Sequence, residues 1–285
     1  MASRIALVTD STSDIPAAWV KQYEIEIVPL TIIIGSQQYL DGVDLTPEQF
    51  YERLPQEKIH PTTSQPTPQA FLDAYRRAAA HGAAQILVIT ISSAMSGTID
   101  SARRAALESP IPVHILDGKN NSMGLGWQVI AAARAQAAGS GVEEMLAAAE
   151  QVQKDMTYYI ALDTIEYLSK GGRISEAARF LDSILRIKPL IYVRPDTGTV
   201  GASIPGRSRK TVIEGMYKEF FGHIHTARPM HITVLHNAAL EEAQALAERV
   251  QAEFSPKELF IAIVSPVLGV HTGPRALALC GYAER

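Results

Sequence analysis

A chain of 285 residues, 47% hydrophobic and 20% charged, is long enough for one large domain or two ordinary ones with a substantial core. Its net charge of −4 gives no electrostatic basis for binding nucleic acid or an anionic membrane surface, and its single cysteine, Cys280, excludes an intramolecular disulfide and a multi-thiolate metal site. No run approaches the roughly 18 apolar residues of a membrane span, and the opening MASRIALVTD turns acidic too early for a signal peptide, so a cytoplasmic protein without integral membrane association is expected.

Ile5-Ala6-Leu7-Val8 reads as a buried strand, followed by a polar run and a helix with Asp14 near its N-cap and Pro16 in its first turn. The β-branched stretch Ile25 to Ile34 contains Pro29, which marks an edge strand or a break. Thr46 and Gln49 fit a capping box. Pro61 to Pro68 is expected to be irregular through its middle. Thr67 then caps a helix that opens at Pro68, buries Phe71, Leu72 and Tyr75, and stops at Gly82. A strand at Ile86–Ile91, a helix from Gly97, a strand at Val113–Leu116 and a long alanine-rich helix from Met123 complete a βαβ rhythm, which implies a parallel sheet.

After residue 156 the strands come closer together, at Tyr158–Leu162, Ile187–Val193 and Thr199–Ile204, with a hairpin signal at Asp196-Thr197-Gly198. A helix at Lys210–Phe221, a strand at His231–Leu235, a helix at Leu240–Phe254 and a strand at Leu259–Val264 follow. The expected organisation is an N-terminal parallel-sheet α/β domain over residues 1–156 and a C-terminal mixed-sheet α/β domain over 157–285.

The stretch Ile91-Ser92-Ser93-Ala94-Met95-Ser96-Gly97-Thr98 joins a strand to a helix. Free backbone N–H groups and the positive end of the helix dipole at such a junction favour an anion. Small hydroxyls suit a single carboxylate. No phosphate-binding G-x-x-x-x-G-K-[ST] loop is present, and Gly124-Leu125-Gly126 lacks the third glycine of a dinucleotide fingerprint. A helix cap at Ser96 and a nucleophilic Ser96 are the competing readings; the latter lacks the first glycine of a G-x-S-x-G elbow. Thr62-Thr63-Ser64 forms a second hydroxyl cluster in a proline-bracketed loop, and His271 lies in an apolar loop rich in small residues. The histidines show no metal-ligand spacing. Arg173 follows a diglycine and precedes Ser175, a candidate helix cap. Arg207-Ser208-Arg209-Lys210 opens a helix where cations oppose the dipole, which points to an outside anionic partner.

Taken together, VTDSTSDIP (Val8–Pro16), PTTSQPTP (Pro61–Pro68), ISSAMSGT (Ile91–Thr98), LSKGGRIS (Leu168–Ser175), LRIKPLI (Leu185–Ile191) and HTGPRALAL (His271–Leu279) resemble the DegV family, bacterial fatty-acid-binding proteins that act as carrier subunits of fatty-acid kinase. The resemblance implies a two-domain DegV-like α/β fold: an N-terminal parallel α/β/α sandwich and a C-terminal α/β domain with a mixed sheet. It implies a long-chain fatty acid, such as palmitate or oleate, in a buried tunnel. The carboxylate would be held by Thr62 or Thr63 and Ser93 or Ser96, with Thr63 and Ser96 favoured and His271 nearby. Arg173 and Arg207 would contact the kinase catalytic subunit or the new phosphate. No cofactor and no catalysis by the carrier itself are implied; the acyl phosphate would feed phospholipid synthesis. A stand-alone lipid storage or transport protein and a serine esterase using Ser96 are the alternatives.

Overall fold

The computed structural model describes residues 4–174, 178 and 187–285. Its first half contains β1 (Ile5–Asp10), α1 (Ala17–Gln22), β2 (Glu26–Val28), β3 (Thr31–Ile34), β4 (Gln37–Leu40), α2 (Pro47–Arg53), β5 (Thr62–Ser64), α3 (Pro68–Ala80), β6 (Gln85–Thr90), α4 (Thr98–Ala106), β7 (Val113–Asp117), α5 (Ser122–Ala137) and α6 (Val142–Asp155). The second half contains β8 (Thr157–Ala161), α7 (Glu166–Lys170), β9 (Leu190–Val193), β10 (Val200–Ala202), α8 (Arg209–His223), β11 (Met230–His236), α9 (Leu240–Phe254), β12 (Glu258–Ile263), α10 (Pro266–Thr272) and β13 (Leu277–Ala283).

Among the described residues, three sheets form. An all-parallel sheet has the order β2-β1-β6-β7, and a mixed sheet the order β10-β9-β8-β13-β11-β12. A small antiparallel sheet, β4-β3-β5, sits beside them. Side-chain alternation divides the parallel sheet between two cores. Val8, Ile86 and Val88 meet Phe71, Tyr75 and Ala102 of α3 and α4. Leu7, Leu87 and Ile89 face the other way, toward Met123 and Val129 of α5.

Helix α5 explains the alanine-rich run. It is buried nearly all round from Ser122 to Ala133 because it lies between the parallel sheet and the mixed sheet. Trp127 donates from Nε1 to Thr233 Oγ1 across that junction at 3.0 Å. Ile160, Ile191, Leu235 and Cys280 of the mixed sheet join the same core, so the two halves share buried apolar surface. Helices α8 and α9 cover the sheet's far face through Val212, Phe220, Leu246 and Val250.

Several expectations are corrected. The long alanine-rich helix expected from Met123 forms as α5; Gly139, with φ +93°, then turns the chain into a further helix, α6. Pro61 to Pro68 is not irregular throughout, since Thr62–Ser64 pairs with β3 as β5. Pro16, not Asp14, is the residue that opens α1, and Asp14 adopts a left-handed turn with φ 49°. The His271 region is a helix, α10, rather than a loop, and the chain closes with β13, a central strand of the mixed sheet. Strand β13 is hard to read in sequence because Gly281 interrupts an otherwise apolar run. A side chain there would lie 2.3 Å from the carbonyl oxygen of His231.

Candidate functional site

The three polar segments converge because each leaves an element that faces the gap between the two large sheets. Strand β5 pairs Thr63 with Ile32, and β6 feeds the 91–97 loop into α4. Helix α10 leaves β12 and carries His271 in its last turn. Between them and the mixed sheet lies a cavity of about 350 Å³. Thr63, Gln65, Ser96, Gly97, Arg173 and His271 line its polar end, and Ile160, Ile191, Val193, Val200, Leu235 and Ala278 line its apolar body.

Thr63 Oγ1 and His271 Nε2 are hydrogen-bonded at 2.9 Å. Burial, then the Arg173 charge, then His60 push the His271 imidazolium down to a pKa of about 4, so the ring is neutral near pH 7. Among the described residues its Nδ1 is buried without a hydrogen-bond partner. Gly171 packs against that atom: a Cβ there would sit 2.2 Å from Nδ1. Arg173 donates from Nη1 to Gly171 O at 2.7 Å and from Nε to Met95 O at 3.4 Å, tying the diglycine turn to the serine-rich loop.

The residue at the N-cap of α4 is Gly97, not Ser96, and it supplies no side-chain cap. The first-turn N–H groups therefore lack a side-chain acceptor of their own. Gly97 lies close against Gln65: a Cβ would sit 2.3 Å from Gln65 Oε1, so a larger residue would have to displace that side chain. Gln65 in turn donates to Ser101 Oγ at 3.0 Å, closing β5 against α4. Ser96 Oγ shares a 2.8 Å hydrogen bond with Thr98 Oγ1.

Not every expected residue reaches the cavity. Thr62 is exposed, as alternation along β5 turns it away from Thr63. Ser93 is exposed, and its hydroxyl donates to the Asp117 carboxylate. Neither is among the lining residues. Arg207 is exposed just before Ser208, which caps α8 through a capping box with Thr211. The charge misplacement seen in the sequence is partly answered inside the chain. Arg209 makes a bidentate pair with Glu242, 2.9 Å at both contacts. Ser175 lies outside the described residues.

The sequence does not announce one further feature of the site, an acidic hub in which Asp10 and Asp41 are buried and Asp14 is partly buried. Asp10 accepts from Ile91 N at 2.7 Å, where the serine-rich loop begins, and from Thr12 N and Oγ1. Asp14 accepts from Ser122 Oγ and, at 3.0 Å, from Ser265 N. Asp41 accepts from Val267 N at 3.2 Å. The last two bonds hold the start of α10, the helix that carries His271. Burial raises all three carboxyls, Asp14 and Asp41 to about 7. The available signal was two aspartates in a polar run directly after a buried strand.

A family model described as "Uncharacterised protein, DegV family" matches residues 4–284. A DegV domain-containing protein of Streptomyces coelicolor is 34% identical over 280 residues, 98% of each chain. Among solved structures, a DegV family protein from Thermus thermophilus described for its fatty-acid binding superposes with a TM-score of 0.90 at 30% identity, covering 99% of this chain and 100% of that one. DegV of Bacillus subtilis, described as a fatty-acid-binding protein, also gives a TM-score of 0.90, at 28% identity and the same coverage.

Proposed function

Since the chain belongs to the DegV family, we propose that it carries a long-chain fatty acid, such as palmitate or oleate, and presents the carboxylate to a separate ATP-dependent kinase. The observation that carries this reading is the cavity itself, with hydroxyls, a helix N-terminus and an arginine at one end and an apolar sheet face along its length. Burying roughly fourteen methylenes at ~0.8 kcal/mol each favours binding by about 11 kcal/mol. Association and ordering costs remove much of that. A carboxylate brought into such a site must be hydrogen-bonded. The hydroxyls of Thr63 and Ser96, the uncapped first turn of α4 and the Arg173 guanidinium are among the donors that line it.

In this reading neutral His271 donates from Nε2 to Thr63 Oγ1, which leaves the Thr63 proton free for the carboxylate. In the kinase complex a carboxylate oxygen would attack the γ-phosphorus of ATP, forming the acyl phosphate and releasing ADP. The kinase would supply the nucleotide site and its metal. The carrier needs no cofactor of its own, and Arg173 and Arg207 would face the kinase or the transferred phosphate. Release of the product to phospholipid synthesis and a cytoplasmic setting fit the same reading. Among the described residues, no helix is long and apolar enough to cross a membrane.

A carrier is favoured over a serine esterase by the hydrogen bonding. Ser96 Oγ is partnered by Thr98, and His271 Nε2 by Thr63, so no serine–histidine pair is set up at Ser96. A stand-alone lipid store differs only in lacking the kinase.

Mass spectrometry of the organic extract from purified, denatured protein is expected to find near-stoichiometric fatty acid. Protein that emerges empty and ignores added palmitate and oleate would overturn the reading. The loaded protein should yield acyl phosphate only with kinase and ATP, and more slowly after charge removal at Arg173 and Arg207. A second expected outcome concerns His271. A carboxylate placed beside the ring favours its protonated form, so loading should raise the pKa from about 4. An NMR titration of the imidazole in empty and loaded protein measures this, and an unmoved titration would separate His271 from the carboxylate.

A further inference from the structure

The register of the mixed sheet measures the deep, sheet-lined part of the cavity. Asn237 N donates to Ala276 O beside α10, at the polar end. Two residues deeper, Ala202, Ile191, Ile160, Ala278 and Leu235 form one cross-strand row. Two residues deeper again, Val200 pairs with Val193, and Tyr158 pairs with Cys280. Since Tyr159 pairs with Tyr192, the antiparallel register places Tyr158 next to Val193. At about 3.3 Å per residue these rows span about 13 Å along the strands. Among the described residues, the lining along these strands stops at this last row: Val200, Val193 and Tyr158 border the cavity, while Cys280 does not.

Behind that row lies a separate, more open groove of about 660 Å³ along the sheet edge, flanked by Tyr192, Ile204 and His223. Val193 and Tyr158 line both spaces and so stand between them. Both are almost wholly buried, at 3% and 4% exposure. They belong to the core between the sheets, not to the surface.

We propose that Val193, with Tyr158 beside it, is the tail stop of the cavity and sets the longest acyl chain the protein holds. The inference rests on the fatty-acid reading above. A chain that fits ends against the Val193 methyls. A longer one must fold back or displace the wall toward the groove. Truncating Val193 opens the wall into space already present, whereas enlarging it fills the last row.

The test loads wild type, Val193→Ala and Val193→Phe from an equimolar mixture of saturated fatty acids of twelve to twenty carbons, and reads the bound chains by native mass spectrometry. Val193→Ala should shift the bound population toward longer chains, by about fourfold for each further methylene accommodated. Val193→Phe should shift it toward shorter chains by a similar factor. A loaded wild type with the same chain profile in both variants would overturn the tail stop alone. So would a uniform fall in loading at every chain length, the signature of general loosening. An empty wild type would instead overturn the fatty-acid reading, and this inference with it.

Discussion

If the chain is a fatty-acid carrier, Thr63→Val combined with Ser96→Ala is expected to abolish fatty-acid binding while leaving the fold intact. Each substitution removes one hydroxyl at the polar end of the cavity and keeps the volume nearly unchanged. A hydrogen bond to a charged group contributes about 1.5–3 kcal/mol, so each loss should weaken binding by roughly 10- to 150-fold. The pair should cost more than either alone. It leaves Arg173 and the α4 N-terminus to face a carboxylate whose desolvation is no longer matched. Thr63→Val has a second effect, because it also deprives His271 Nε2 of its 2.9 Å partner. Thr63→Ser restores the hydroxyl and should recover most of the affinity. Binding by isothermal titration or a displaced fluorescent fatty acid gives the comparison, with thermal unfolding as the control. Unchanged affinity in the double variant would move the carboxylate elsewhere in the cavity.

Asp14→Asn is expected to stabilise the protein, increasingly so as pH rises. Burial is the main cause that lifts the Asp14 carboxyl to about 7, with the neighbouring Asp10 adding to it; hydrogen bonds from Ser122 and Ser265 oppose the shift. Because the folded value lies above the unfolded one of about 3.8, the group's contribution is fully present below that lower value. It is lost as pH rises through the folded value. An asparagine carries no charge to bury, so the variant should gain on wild type between pH 4 and 7 and level off above. The plateau is about 4 kcal/mol at most, by ~1.36 kcal/mol per pKa unit. That corresponds to several degrees in Tm. The left-handed backbone at Asp14 suits asparagine. Its oxygen can accept from Ser265 N while its NH₂ meets the Ser122 hydroxyl. The His271 contribution runs the opposite way, since a lowered value adds stability as pH rises, but it cancels in the difference between variant and wild type. Thermal unfolding from pH 4.5 to 8 decides the point. A variant that is less stable at every pH, without a trend, would mean that Asp14 serves as a carboxylate.

Asp14 also shows where reading the sequence stops. An aspartate two residues before a proline reads as a local helix cap, yet its hydrogen bonds go to Ser122 and Ser265, 108 and 251 residues away. Asp41 likewise serves Val267, and nothing near either residue announces a partner at that separation. Helices with strong local signals were legible: Thr46 with Gln49, Thr67 with Pro68, and Leu240–Phe254. Capping and periodicity act within one turn or two, so a short window contains the whole cause. Strand β5 is not legible in the sequence because three residues carry no periodicity, and only β3 makes them a strand.

The site divides in the same way. By itself, the sequence determined the parallel βαβ rhythm, the polar strand-to-helix junction at Ser92–Gly97 and the set of motifs that relates the chain to its family. Those depend on residue type and spacing. Only the tertiary structure decided that Thr63 faces His271 while Thr62 turns outward, that Ser93 is engaged by Asp117, and that Arg209 is neutralised by Glu242. The tail stop proposed at Val193 would belong to the same class, because it depends on β8, β9 and β10 lying side by side. Each of these outcomes rests on contact between segments distant in the chain. A hydroxyl or a valine acquires its role from the surface packed against it, and that surface forms only on folding.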